Sequence, residues 1–97
     1  MAQMSDAEAQ QGLARLEGWQ LARGDGPPSI EREFKLADFA SALAFVNRVG
    51  AAAEDANHHP DILLYDWNKV RLTLSTHSEG GLTGADFNLA EQIDGLA

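Results

Sequence analysis

The alternation of apolar and polar side chains from Val70 to Ser75 constrains the fold of this chain most strongly. Three apolar residues alternate there with three polar ones, which is the pattern of a strand with one buried face. A second alternation runs from Ile30 to Lys35, although Arg32 interrupts its apolar side. Two strands of this kind predict a sheet whose apolar side is covered by helices.

One long helix is predicted between these strands, from Asp38 as the N-cap to about residue 56. Pro60 ends it, because a proline disfavours helical geometry at the preceding residue. The apolar residues of the helix form two neighbouring stripes, a broad face that suits packing on a sheet or contact with a second subunit. One stripe comprises Phe39, Leu43, Val46 and Ala53, and the other comprises Ala42, Phe45, Val49 and Ala52.

Shorter patterns supply the remaining elements. Ser5 to Glu8 and Thr83 to Asp86 match capping boxes, so a helix should begin at each. The order of elements predicts an α+β fold, in which a four-stranded antiparallel sheet of two hairpins carries three helices on one face. The elements predicted besides the long helix and the two alternating strands are a helix at about 5–17, strands at 19–23 and 62–65, turns at 24–28 and 66–68, a loop at 78–81 and a helix at about 83–96.

The length, composition and net charge of the chain exclude several classes of site and partner. The 97 residues suffice for one domain, expected to span residues 1–97, and a domain this small gains stability from oligomerisation. The absence of cysteine excludes disulfides, thiolate zinc sites and iron–sulfur clusters. The net charge of −8 argues against nucleic acid as a partner, and no apolar run reaches the roughly 20 residues that span a bilayer. We therefore expect a soluble cytoplasmic protein, whose charge is compatible with a small, nearly neutral substrate.

All three histidines of the chain fall between residues 58 and 77. His58 and His59 stand at the predicted end of the long helix, and His77 follows the clearest strand, so the three side chains can converge in space. Imidazole titrates closest to neutral pH, which makes these residues natural acids and bases. Glu54 lies one helical turn before His58, within reach of its side chain.

Each of these residues also has a simpler interpretation. His58 could contact the carbonyl groups at the end of its helix, and His-His-Pro could serve only to end that helix. Asp86 occupies the partner position of a capping box, which we favour as its main role. A zinc site is disfavoured, because adjacent His58 and His59 make joint ligation awkward.

Three blocks of the sequence resemble the pterin-4a-carbinolamine dehydratases. The first block is Glu54-Asp55-Ala56-Asn57-His58-His59-Pro60, the second covers residues 68–77, and the third joins Gly81-Leu82-Thr83 with Asp86-Phe87. The blocks stand in the order and spacing of the family, so the resemblance is specific and extends from about residue 16 to 90. The segment 61–68 departs from it: it is about one residue longer than in animal members, and Trp67 stands where tyrosine is usual.

The resemblance implies dehydration of 4a-hydroxytetrahydropterin to quinonoid dihydropterin, the recycling step that follows an aromatic amino acid hydroxylase. It implies His58 and His77 as proton donors and His59 as a residue that binds the pterin and assists. The pterin is the only small molecule implied, with neither a cofactor nor a metal, and we expect a homodimer or homotetramer. The supporting or substrate-binding residues would be Glu54, Ser75, Thr76 and Asp86.

A non-catalytic binding module is the alternative function. Some animal proteins that resemble this chain serve as dimerisation cofactors of a transcription factor, and some bacterial relatives occur without a hydroxylase and fit other pterin pathways, such as molybdopterin metabolism. The three histidines favour the enzyme, because a pure binding module has no need of three titratable groups. Neither direct nucleic-acid binding nor membrane association is expected.

Overall fold

Helices and pairs of strands follow one another in the predicted order in the computed structural model of the protein, which describes residues 3–22, 24 and 26–97. The boundaries are α1 Asp6–Leu13, β1 Gln20–Ala22, β2 Ser29–Lys35, α2 Phe39–Ala56, β3 Asp61–Tyr65, β4 Lys69–Leu74, a 3-10 turn His77–Glu79 and α3 Gly84–Asp94. None of the described helices combines the length and apolar character needed to cross a membrane.

The four strands form one antiparallel sheet in the order β1-β2-β4-β3. The hairpins β1–β2 and β3–β4 join through the central pair β2–β4, in which Ile30 lies opposite Leu74 and Phe34 opposite Val70. These apolar residues are buried under the helices. The α+β fold predicted from the sequence, with its helices on one face, is therefore confirmed. The opposite face, here called the outer face, carries alternate residues of the strands, including Glu31, Glu33, Arg71 and Thr73.

The long helix α2 packs on the sheet mainly through Ala42, Phe45 and Val49 of one apolar stripe and through Ala53 at the end of the other. Asp38 caps its N-terminus by accepting a hydrogen bond from the Ser41 N–H at 2.7 Å, which lowers the pKa of the Asp38 carboxyl. Phe39 and Leu43, from the other stripe, remain 49% and 46% exposed. The buried residues of the helix are Ala42, Phe45, Val49 and Ala53.

Arg32 fits on the apolar side of β2 because its charged group has polar partners at the edge of the core. Its Nη1 donates to Asp94 Oδ1 at 2.9 Å and to the Glu17 carbonyl at 3.1 Å. The guanidinium lies 4.5 Å from the centre of the Phe34 ring, so the aliphatic part and the ring cover each other. Trp19 Nε1 donates to the same Asp94 oxygen at 2.9 Å, and this contact ties β2 and α3 to the segment before β1.

The predicted end of the first helix is wrong. Helix α1 ends at Leu13 rather than near residue 17, because the next residues form tight turns with bonds from Arg15 N to Gly12 O and from Leu16 N to Leu13 O. Strand β4 ends at Leu74, one residue before the end of the alternation in the sequence, and His77 begins the 3-10 turn. The predicted strand at 19–23 and turn at 24–28 fall partly on residues 23 and 25, which lie outside the described residues.

Candidate active site

A cavity of about 220 Å³ opens on the outer face of the sheet, where β4 ends and β2 and β3 begin. Of the described residues, two histidines, His59 and His77, contribute to its wall together with one carboxylate, Asp61. The remaining lining residues are small or carry hydroxyl groups, and they are Gly24, Gly26, Pro27, Ser29, Thr73 and Ser75.

The side chains of His58 and His59, which follow the end of α2, lie in different surroundings. Asn57 adopts the left-handed conformation, with φ of 50°, and the N–H groups of Asn57 and His58 satisfy the carbonyls of Glu54 and Ala53. These two carbonyls at the end of the helix are thus paired with backbone N–H groups, so the His58 side chain is not needed as their hydrogen-bond donor. The His59 ring lines the cavity, is 59% exposed and lies 3.5 Å from the exposed carboxylate of Glu54.

The His58 ring contacts Asp86 and does not line the cavity. Its Nε2 lies 2.6 Å from Asp86 Oδ1, and the side chains of His58 and Asp86 are 15% and 0% exposed. An ionised Asp86 can only accept, so in that state Nε2 would donate in this bond and Nδ1 would be the remaining nitrogen. The structure therefore brings two of the three predicted histidines to the cavity and holds the third on a buried carboxylate.

Asp86 also fixes the start of α3 and the end of β4. Its Oδ2 accepts from the Thr83 N–H at 2.9 Å, which completes the predicted capping box, and from the Thr76 hydroxyl at 2.8 Å. The Thr76 and Thr83 hydroxyl oxygens are 2.8 Å apart. Because the Thr76 hydroxyl donates its hydrogen to Asp86, the Thr83 hydroxyl must be the donor in the bond between the two threonines. Asp86 is thus a helix cap, as predicted, and in addition the centre of a hydrogen-bond network.

The segment from Ser75 to His77 separates this network from the cavity. Ser75 and His77 line the cavity, whereas Thr76 between them contacts Asp86 on the other side. The Ser75 hydroxyl donates to the Pro28 carbonyl at 2.9 Å, and Thr76 pairs with Gly81 through backbone hydrogen bonds. The position of His77 therefore depends on contacts made on both sides of the segment.

Three lining residues, Asp61, Ser29 and Thr73, were not among those predicted from the sequence. Asp61 lies opposite Thr73 in the β3–β4 register, so both side chains share the outer face. The prediction had begun this strand at residue 62, which left Asp61 outside the alternation. Extending the strand by one residue would have placed its carboxylate on the polar face next to Thr73.

This arrangement can hold a small polar ligand and exchange protons with it. The two imidazoles can each donate or accept a proton near neutral pH, and the carboxylate and hydroxyl groups can bind ring substituents. Within residues 3–22, 24 and 26–97, no group of three or more histidine, aspartate or glutamate side chains is arranged to hold a metal ion.

Similar sequences match this chain over nearly its full length. The sequence model of the family described as pterin 4 alpha carbinolamine dehydratase matches residues 2–96. A provisionally named pterin-4-alpha-carbinolamine dehydratase 2 of Gloeobacter violaceus is 47% identical over 93 residues, which cover 96% of this chain and 100% of that protein. A protein of Roseiflexus castenholzii with the same provisional activity name is 50% identical over 91 residues, covering 94% of this chain and 92% of its own length.

Two solved structures share the fold. A transcriptional coactivator/pterin dehydratase from Brucella melitensis superposes with a TM-score of 0.88 and 36% identity, covering 98% of both chains. A pterin dehydratase-like protein described as a RuBisCO assembly factor in the alpha-carboxysome gives a TM-score of 0.69 and 26% identity, covering 84% of this chain and 90% of its own. Proteins of this architecture thus carry descriptions of both catalytic and protein-binding roles.

The buried position of Asp86 predicts an unusually large loss of stability on truncation. Asp86→Ala should cost more than the roughly 0.5–2 kcal/mol of a helix cap, because each buried donor left without a partner adds about 1–3 kcal/mol. Glu8→Ala is the matched control, since Glu8 holds the same capping-box position on α1 but is exposed. Urea unfolding of both variants measures the difference, and equal losses would contradict the central role of Asp86.

Proposed function

Because the chain belongs to the pterin 4 alpha carbinolamine dehydratase family, we propose that it dehydrates a 4a-hydroxytetrahydropterin to the quinonoid dihydropterin. The observation that carries this proposal is the joint presence of His59 and His77 in one cavity. The reaction would recycle the pterin after an aromatic amino acid hydroxylase, in the cytoplasm.

The chemistry requires one proton to be delivered and one to be removed. The C4a–O bond breaks as the leaving hydroxyl takes a proton and departs as water. The electron pair of the N5–H bond forms the N5–C4a double bond as that proton is lost. One imidazole that donates and one that accepts satisfy this balance, and a positioned general acid typically contributes about 10²–10⁴-fold in rate.

The three histidines take different parts in this proposal. His77 lines the cavity and donates the proton to the hydroxyl, while His59 binds the pterin and assists proton removal. The family resemblance also implies His58 as a proton donor; because Asp86 holds its ring outside the cavity, that role requires Nδ1 to come within reach of the substrate. Ser75 shapes the wall beside His77, Thr76 and Asp86 support the segment from behind, and Glu54 accompanies His59.

Removal of each imidazole should produce a distinct kinetic change. His77→Ala and His58→Ala should each lower kcat by roughly 10²–10⁴-fold, because each removes a proton donor. His59→Ala should act mainly on KM, because its larger contribution is to binding. Stopped-flow dehydration of 4a-hydroxytetrahydropterin, with thermal melts of each variant, provides the measurement. Asp55→Asn is the control, since Asp55 is exposed on α2 and does not line the cavity.

The outcome separates the possible roles of the histidines. Near-wild-type turnover in His58→Ala, together with a large loss in His77→Ala, would show that His58 is only the structural partner of Asp86. Near-wild-type turnover in both variants would contradict acid–base catalysis by these residues. The chain would then be better regarded as a non-catalytic binding relative.

The exposed apolar residues Phe39 and Leu43 of α2 support a further part of the proposal, which is self-association. Phe39 and Leu43 are large apolar side chains, about half exposed, on the side of the molecule opposite the outer face. Contact with the same residues of a second copy would remove both from water and form a two-fold interface. We propose that this contact builds the homodimer, or one interface of a homotetramer.

A charge in this contact should separate the subunits. Leu43→Glu would bury a carboxylate in the apolar contact, so we expect its sedimentation coefficient to fall to that of a monomer at micromolar concentration. Ala44→Glu adds the same charge at an exposed position about 100° further around the helix and should leave the assembly intact. A wild-type protein that sediments as a monomer would overturn this part of the proposal.

A further inference from the structure

The carboxylate of Asp61 is the cavity group for which the acid–base chemistry has no use. Among the described lining residues it is the only acid, and it forms no ion pair within the described part of the chain. Its position is fixed by the backbone, because Asp61 is the first residue of β3 and pairs with Thr73. The side chain is exposed, so it can meet a ligand without leaving other contacts.

The pterin ring offers a matching partner on the side remote from its reacting atoms. N3–H and the 2-amino group are two parallel donors, spaced like those of a guanidinium. An ionised carboxylate has only acceptors and can receive both hydrogen bonds at once. C4a and N5 lie on the other side of the pyrimidine ring, where the imidazoles are required.

The other polar residues of the cavity are less suited to this edge of the ring. The Ser75 hydroxyl donates to Pro28 O, and the Ser29 hydroxyl donates to Ala22 O at 3.3 Å. Each hydroxyl has a single oxygen and cannot form two parallel bonds to neighbouring donors. Among the described residues that line the cavity, Asp61 therefore remains as the group that can recognise both donors together.

We propose that Asp61 is the specificity-determining residue of the cavity and pairs with N3–H and the 2-amino group of the substrate. This inference rests on the proposed function, because it assumes that the cavity binds a pteridine. It assigns the discrimination between a 2-amino and a 2-oxo substituent on the pteridine ring to this one side chain. It also predicts weaker binding of lumazine, whose 2-oxo group replaces the 2-amino donor with an acceptor that the carboxylate repels.

The substitution Asp61→Asn tests this pairing because it should reverse the preference. The amide oxygen can still accept from N3–H, while the amide NH₂ now donates to the 2-oxo group of lumazine. We expect the affinity for pterin to fall by roughly 10–100-fold and the affinity for lumazine to rise, so that their order inverts. Fluorescence titration with pterin and lumazine, at a pH where lumazine is neutral, measures both constants without needing turnover.

Asp55→Asn is the control, since it removes the same charge from the protein at an exposed position outside the cavity. It should leave the ratio of the two affinities unchanged. If wild type binds pterin but Asp61→Asn keeps the wild-type ratio, the inference is overturned while the proposed function stands. If wild type binds neither pteridine, the proposed function fails and the inference fails with it.

Discussion

The buried carboxylate of Asp86 is the interaction on which the rest of the site depends. It joins three chain segments that are distant in sequence: the end of α2 through His58, the end of β4 through Thr76, and the start of α3 through Thr83. A buried carboxylate is tolerated only when its oxygens are paired, and here both are. Because Thr76 lies between two cavity residues, this pairing also sets where His77 stands. The network therefore connects the stability of the fold to the geometry of the cavity.

Much of the fold could be predicted from the sequence because its local signals agree with one another. The alternation in β2 and β4, the cap at Asp38 and the capping box at Thr83 each act over a few residues, and each was predicted. The divergence of His58 from His59 could not be predicted, since it depends on the left-handed turn at Asn57 and on a carboxylate 28 residues further along. Asp61 was missed for a smaller reason, a strand boundary one residue too late. The types of residue in the site could thus be predicted more readily than the contacts between distant segments that position them.

The cavity and the exposed residues Phe39 and Leu43 of α2 lie on opposite sides of the sheet. The cavity uses the outer face, whereas Phe39 and Leu43 belong to the helical layer. The proposed contact between subunits through Phe39 and Leu43 would therefore not compete with a ligand in the cavity. This separation offers a physical reason why one fold can carry the descriptions found among its structural relatives, a pterin dehydratase in one case and an assembly factor in another.

The most direct test of a pterin site at this cavity is a crystal structure of the protein with a stable dihydropterin. The ring should lie on the outer face, within the roughly 2.6–3.2 Å of a hydrogen bond from imidazole nitrogens of both His59 and His77. A second, larger groove of about 320 Å³ lies between α1 and α3, around Arg15 and Glu91, and contains no histidine. Density for the ring in that groove, with the outer cavity occupied only by solvent, would contradict the assignment.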